Sequence, residues 1–418
     1  MLQAEVITIG DEILIGQVTD SNSTWIAKEL DAAGIPIHRM ITIADDPQEL
    51  VTALDDSLSR ADIIIMTGGL GPTSDDHTKP TLCKYFNSHL VFHEDTFKDI
   101  EHLFPSRGLP ITAINRKQAE IPECCTPIRN QQGTAPGMWF EKNNRIVISL
   151  PGVPFEMKAM MKDSVIPALL KNFIIPARYH KTILTQGVGE SFLAEKIQVW
   201  EENLPRGMQL AYLPSPGLVR LRLTAVGNDQ DETKEKVDKE IRKLYAIIPE
   251  LIFGEGDQTL EAILGELLRS NKKTLAIAES CSGGYIAHRI TMVPGSSEYF
   301  AGSITAYSNE VKIRELSVDE AVIVKCGAVS EEVACAMAEG IRKKFKVEYA
   351  IATTGIAGPA GGSDQKPVGT TWIAVSSAQK TTATRFLFGE HRERNIIRTT
   401  LTAMNMLRKR IIEENQNR

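Results

Sequence analysis

Thr274-Leu275-Ala276-Ile277-Ala278-Glu279-Ser280-Cys281-Ser282-Gly283-Gly284 reads as strand, tight turn and helix start: an apolar run to Ala278, two glycines, and a helical pattern from about Tyr285. Such a turn aims unpaired backbone N–H groups and the positive end of a helix dipole at whatever lies above it, which suits a phosphate or a developing oxyanion. Glu279, Ser280 and Ser282 place a carboxylate and two hydroxyls in the turn. Ser280 is therefore a nucleophile or part of an anion cradle, and an ordinary capped helix start would use the same residue types.

Around this turn a helix is expected over Thr259 to Ser270. The helix from Tyr285 runs to Thr291, and after Val293-Pro294-Gly295-Ser296-Ser297 a strand runs from Tyr299 to Tyr307. Amide hydrolysis without a metal requires a nucleophile, a base that takes its proton, and donors for the tetrahedral oxyanion. Tyr307 and Lys312, where that strand becomes a helix, would supply these roles beside a serine; singly, each has the look of a rim tyrosine and a solvated lysine. A strand Tyr349 to Thr353 then delivers Thr354 and a glycine-dense loop containing Gly355 and Gly358, as expected where backbone approaches a ligand. Arg392, Arg394 and Arg398 stand near the start of the last helix, Asn395 to Glu414, where they would hold a phosphate or serve as surface charge.

The N-terminal third alternates strand and helix: Ala4 to Ile9, Ser21 to Ala33, Ile35 to Ile43, Pro47 to Ser59, Asp62 to Thr67. That order predicts a doubly wound, mainly parallel sheet whose ligands collect at the carboxyl ends of the strands. The turns there carry Asp11, then Gly68, Gly69 and Gly71 with Asp75 and Asp76, then Glu156 after the strand Arg145 to Leu150. Carboxylates so placed offer hard oxygen ligands to a divalent cation or general-base capacity, while any one alone is more often a capping group. The middle reads as a small α+β unit of ferredoxin-like or KH-like type. Its Gly187-Val188-Gly189-Glu190 loop lacks the interleaved basic and aromatic residues of an RNA-binding surface.

Composition sets the limits. The 418 residues predict two or three domains, and 42% hydrophobic with 24% charged residues is ordinary for a globular protein. A net charge of -6 leaves no nucleic-acid footprint, and six cysteines without CxxC pairing suggest neither a disulfide framework nor structural zinc. No segment reads as a membrane span or a signal sequence, so a cytoplasmic protein is expected.

Gly10-Asp11-Glu12 with Asn22, Thr67 to Thr73 with Asp75, Asp76 and Thr78, and Pro151-Gly152-Val153-Pro154 with Glu156 resemble the molybdopterin-binding-like domain of the competence/damage-inducible protein A family. Ala278 to Gly284, Pro294 to Ser297, Tyr307 to Lys312, Gly327 to Ser330, Thr354 to Gly369 and the terminal arginines resemble that family's nicotinamide mononucleotide deamidase domain. Ser282 stands where threonine is usual, and Ala360 interrupts the glycine run.

The resemblance implies three domains: 1–172 molybdopterin-binding-like, 173–255 a KH-like linker, and 256–418 an α/β deamidase. It implies two hydrolyses, nicotinamide mononucleotide to nicotinate mononucleotide and ammonia, and metal-dependent cleavage of ADP-ribose to AMP and ribose 5-phosphate. In the first, Ser297 is expected to attack with Lys312 as base, Tyr307 and Thr354 orienting, and Ser280 as reserve nucleophile. Glu279, Ser282, Gly283, Gly284, Gly355, Gly358, Arg392 and Arg394 are expected on that substrate. In the second, Asp11, Asp75, Asp76 and Glu156 are metal or water-handling candidates, with Asn22, Gly68, Gly69, Gly71 and Lys79 on substrate. No cofactor is expected for the deamidase and a divalent ion for the pyrophosphatase. A homodimer is expected, with neither membrane nor nucleic acid as partner. The alternative is a pterin- or nucleic-acid-binding accessory protein of competence or DNA damage, without catalysis.

Overall fold

The computed structural model describes residues 2–73, 76–103 and 111–416. The chain divides into two compact units, Met1–Tyr179 with Val226–Thr233, and His180–Ala225 with Lys234–Arg418.

In the first unit the strands are β1 (Ala4–Ile9), β2 (Ile37–Ile43), β3 (Ile63–Thr67), β4 (Leu90–Phe92), β5 (Glu120–Pro122), β6 (Thr126–Ile128), β7 (Gly137–Lys142) and β8 (Arg145–Leu150). The main sheet has the order β2-β1-β3-β8-β7-β6, parallel through β8 and antiparallel beyond it. Period-two alternation feeds two cores. Ala4, Val6, Ile63, Ile65, Ile146 and Ile148 belong to one. Ile7, Ile9, Ile64, Met66 and Val147 belong to the other, and strands buried on both faces read as unbroken apolar runs for that reason. Asp20 and Asp46 cap the helices Ser21–Ala32 and Pro47–Arg60 through the backbone N–H groups of Ser23 and of Gln48 and Glu49. The parallel register carries the turns after β1, β2, β3 and β8 to one edge. Antiparallel β7 returns to β8 through Asn143 and Asn144, both left-handed, a turn chemistry asparagine tolerates.

The second unit contains β9 (Ala177–Thr185), β10 (Met208–Ser215), β11 (Leu218–Gly227) and β12 (Ile252–Glu255), in the order β10-β11-β9-β12, with the helices Glu190–Glu202 and Gln230–Ile247. β9 and β11 each continue a few residues into the first unit. This is the KH-like α+β element. The larger sheet comprises β13 (Leu275–Glu279), β14 (Phe300–Thr305), β15 (Tyr349–Gly355), β16 (Thr370–Ser376) and β17 (Thr381–Leu387), ordered β14-β13-β15-β16-β17. Its first three strands are parallel and its last two antiparallel. One face presents Leu275, Ile277, Ile351 and Ile373 to the helices Leu260–Ser270 and Arg392–Gln416. The opposite face presents Ala276, Ala278, Ala350, Ala352 and Ala374 to the helix Glu331–Phe345. Small residues there let that helix approach closely, and at Gly340 an added Cβ would overlap the Leu316 carbonyl oxygen. The α/β class is thus as expected from the strand and helix order. Among the described residues no helix is long and apolar enough to cross a membrane.

Candidate active site

At the carboxyl edge of the larger sheet, β13 ends in Glu279 and the chain turns through Ser280. One strand over, β14 ends and the helix Asn309–Leu316 begins, capped by Ser308 through the Val311 N–H. Lys312 sits in its first turns with its side chain directed inward, only 2% exposed. Its Nζ lies 3.2 Å from Ser280 Oγ and donates to the carbonyl oxygens of Ala306 at 2.9 Å and Tyr307 at 3.3 Å. Burial holds the amine below its ordinary pKa, against an opposing effect from Cys281. Two carbonyls occupying two N–H bonds leave the lone pair of a neutral amine facing the serine hydroxyl, the arrangement a general base requires. Cys281 is no competing nucleophile, because burial pushes its thiol up to about 12. Ser280 N–H is held by the Thr353 carbonyl, whereas no backbone carbonyl among the described residues accepts from the Cys281 or Ser282 N–H, the former lying against its own thiol. An N–H immediately after a nucleophile is a recurrent oxyanion donor.

Several expected roles change. Ser297 lies in the short turn Ser296–Glu298 before β14, at the amino edge of the sheet, exposed, with the length of β14 between it and Lys312. Within the chain it lies too far to pass a proton to that lysine, and the hydroxyl beside the amine is that of Ser280. Glu279 is fully buried and accepts from the N–H groups of Gly284, Ile286 and Ala287 at 2.9–3.1 Å. Its carboxylate therefore occupies the helix start assigned to a substrate phosphate, and Gly283 and Gly284 serve their left-handed conformations. Ser282 Oγ pairs with Thr353 Oγ1 at 2.8 Å. Thr354 donates its only hydroxyl proton to the Ala328 carbonyl at 2.8 Å, so it is no oxyanion donor.

Tyr307 contributes its carbonyl to Lys312, while its ring is 61% exposed and its Oη accepts from Arg392 at 3.1 Å. Arg392 also donates to the Gly358 carbonyl, which ties the glycine-rich loop to the rim. Gly355 and Gly358 lack side chains because Thr371 and Val368 fill the space. Arg394 is exposed, and its guanidinium makes no hydrogen bond or ion pair among the described residues.

In the first unit the expected carboxylates do not close a metal cage: among the described residues no three His, Cys, Asp or Glu side chains gather for one. Asp75 lies outside the described residues. Asp76 accepts from Gly71 N–H at 2.8 Å and from Thr73 N–H and Oγ1 at 3.0 and 2.6 Å, shaping its own loop. Glu156 is held by Asn130 Nδ2 at 2.6 Å, and Asp11 is exposed in a one-turn helix. At Gly68, Gly69 and Gly71 an added Cβ would meet Ile9, Thr78 and Asp76. Asn22 ties two turns together, donating to Thr67 Oγ1 at 3.2 Å and the Gly152 carbonyl at 2.8 Å. Lys79 is a largely buried amine lowered to about 8 by desolvation, donating to the Gln118 carbonyl at 3.2 Å.

Family models match three consecutive segments: a probable molybdopterin binding domain at residues 5–171, the damage-inducible protein CinA KH domain at 180–254, and the CinA C-terminal domain at 257–411. A CinA-like protein of Flavobacterium psychrophilum is 48% identical over 414 residues, covering 99% of each chain. The chain belongs to the CinA family.

A second relative, a putative competence-damage inducible protein of Halothermothrix orenii, is 40% identical over 97% of each chain. Among solved structures, CinA of Thermoplasma acidophilum is 36% identical over 41% of this chain and 96% of its own, with a TM-score of 0.36. Two features of this CinA-family chain escaped the sequence reading. Asp45, after β2, is raised by burial and then by the nearby carboxylates of Asp76 and Asp11, which makes it part of the acidic edge. Its signal was its place: it follows β2 as Asp11 follows β1. The Cys281 N–H is invisible in any sequence, since only the fold shows which backbone donors no carbonyl takes up.

Proposed function

We propose that the second unit hydrolyses the carboxamide of nicotinamide mononucleotide to nicotinate mononucleotide and ammonia, with Ser280 as nucleophile and Lys312 as general base. The observation that carries this reading is the buried amine set 3.2 Å from a serine hydroxyl by two backbone carbonyls. Ser280 Oγ attacks the carboxamide carbon as Lys312 takes its proton. The oxyanion then forms against the Cys281 N–H, and collapse expels ammonia as Lys312 returns the proton to the leaving nitrogen. Water, deprotonated by the same amine, cleaves the acyl-enzyme. The choice of nicotinamide mononucleotide among amides rests on the family resemblance, and Arg392 at the rim is the group best placed for its phosphate.

For the first unit the reading is hydrolysis of ADP-ribose in the presence of a divalent cation. Its support is the Asp45 carboxyl, raised by burial and then by the Asp76 and Asp11 carboxylates, an effect that a cation carried in with the substrate would oppose. Incubating the pure protein with nicotinamide mononucleotide, and separately with ADP-ribose and a divalent metal, tests both. Ammonia with nicotinate mononucleotide is expected from the first, and AMP with ribose 5-phosphate from the second. Neither product from either incubation would favour the binding-protein alternative.

A further inference from the structure

The second unit holds a cleft of about 610 Å³ that takes no part in the chemistry above. Its walls are the Gly187-Val188-Gly189 loop, the β10–β11 turn at Pro214 to Gly217, the end of β17, and the middle of the helix Arg392–Gln416. The volume falls within the range of small-molecule sites. Its base is built from buried polar groups: Gln186 Nε2 donates to Thr402 Oγ1 at 3.1 Å, Asn405 Nδ2 donates to Gln186 Oε1, and Arg408 Nε donates to Asn405 Oδ1 at 2.9 Å. Gln186, Thr402, Asn405 and Arg408 are each at least nine-tenths buried, so this floor is rigid and its polar atoms are already paired.

Above the floor stand cations with spare capacity. Arg398 gives one guanidinium N–H to the Phe388 carbonyl at 2.6 Å, and its other nitrogens have no acceptor among the described residues. Lys409 lines the same cleft with no hydrogen bond or ion pair among the described residues. Burial and then the neighbouring Arg408 hold its amine below the ordinary lysine value, although Glu250 opposes them. Glu190 is the lone carboxylate lining it. Phe386 and Phe388 stack at 5.3 Å between centroids and 4° between planes, adding a flat apolar wall. A planar wall, a polar floor and a pair of cations define complementarity to an aromatic ring carrying one phosphate.

We propose that this cleft binds a nucleoside monophosphate, with the phosphate at Lys409 and Arg398 and the base against Phe386 and Phe388. A polynucleotide fits less well, because the cleft offers two cations, Arg398 and Lys409, and not a track for a backbone.

Photolabelling of the full chain with 8-azidoadenosine monophosphate tests this. Label is expected in peptides holding residues 186–190 or 398–409, displaced by excess AMP but not by equimolar adenosine. Label confined to other peptides would overturn the proposal. Lys409→Ala should weaken AMP binding there by about tenfold or more, and Lys409→Arg should retain it. Equal labelling of wild type and Lys409→Ala would contradict the phosphate assignment, and single-stranded RNA displacing the label better than AMP would contradict the ligand class.

Discussion

Lys312 is an amine buried beside Ser280 with two carbonyl acceptors and, among the described residues, no carboxylate partner. Its protonation state therefore governs the chemistry. Burial lowers its pKa below the ordinary 10.5, so the ammonium is disfavoured in the folded protein. The sign follows: turnover requires the neutral amine and rises as pH climbs through the lowered pKa. Stability also rises with pH between that value and the unfolded one, because the unfolded chain binds the extra proton there. A pH–rate profile for ammonia release should show this ascending limb, and a rate independent of pH would remove Lys312 as base. Lys312→Met, which keeps the bulk and deletes the amine, should lower kcat by about 10²–10⁴-fold. At this scale the sequence yielded the residue types better than their partners. Lys312, Tyr307 and the hydroxyls were legible because they cluster after strand ends. The choice between Ser280 and Ser297 was not, because proximity along the chain says nothing about which end of a strand a residue occupies.

The strand-turn-helix element around Glu279 is held by a charge-assisted cap of three backbone N–H groups. Glu279→Gln removes the charge and turns one acceptor into a donor, so it should cost about 1–3 kcal/mol, read as a melting midpoint several degrees lower. An unchanged midpoint would contradict the capping role. The helix Glu331–Phe345 offers a sharper test of packing. Glycine to alanine in a helix normally gains about 1 kcal/mol. At Gly340 the added methyl meets the Leu316 carbonyl oxygen, so Gly340→Ala should instead destabilise, by roughly 1–3 kcal/mol. Denaturant unfolding of the variant decides the sign. At element scale the parallel strands were legible from their apolar runs and capped helices. The antiparallel β16 and β17 were not, because Thr370, Thr371, Thr381 and Thr382 interrupt the apolar pattern and their pairing depends on distant β15. The glycine-rich stretches carry a further demand that the sequence does not display: an added Cβ would meet Ile9, Thr78 or Val368, neighbours that only the folded chain supplies.

For the whole molecule, the proposed Ser280–Lys312 mechanism draws every role from side chains and backbone donors of the second unit, while Asp11, Asp45 and Asp76 belong to the first. A chelator should therefore leave ammonia release unchanged while abolishing any cleavage of ADP-ribose, and equal loss of both activities would contradict a metal-free amidohydrolase. The most direct measurement is ammonia release from nicotinamide mononucleotide by Ser280→Ala and Ser297→Ala side by side. The account predicts a fall of at least about 10³-fold for Ser280→Ala and a rate within about twofold of wild type for Ser297→Ala. Near-normal turnover by Ser280→Ala would contradict it.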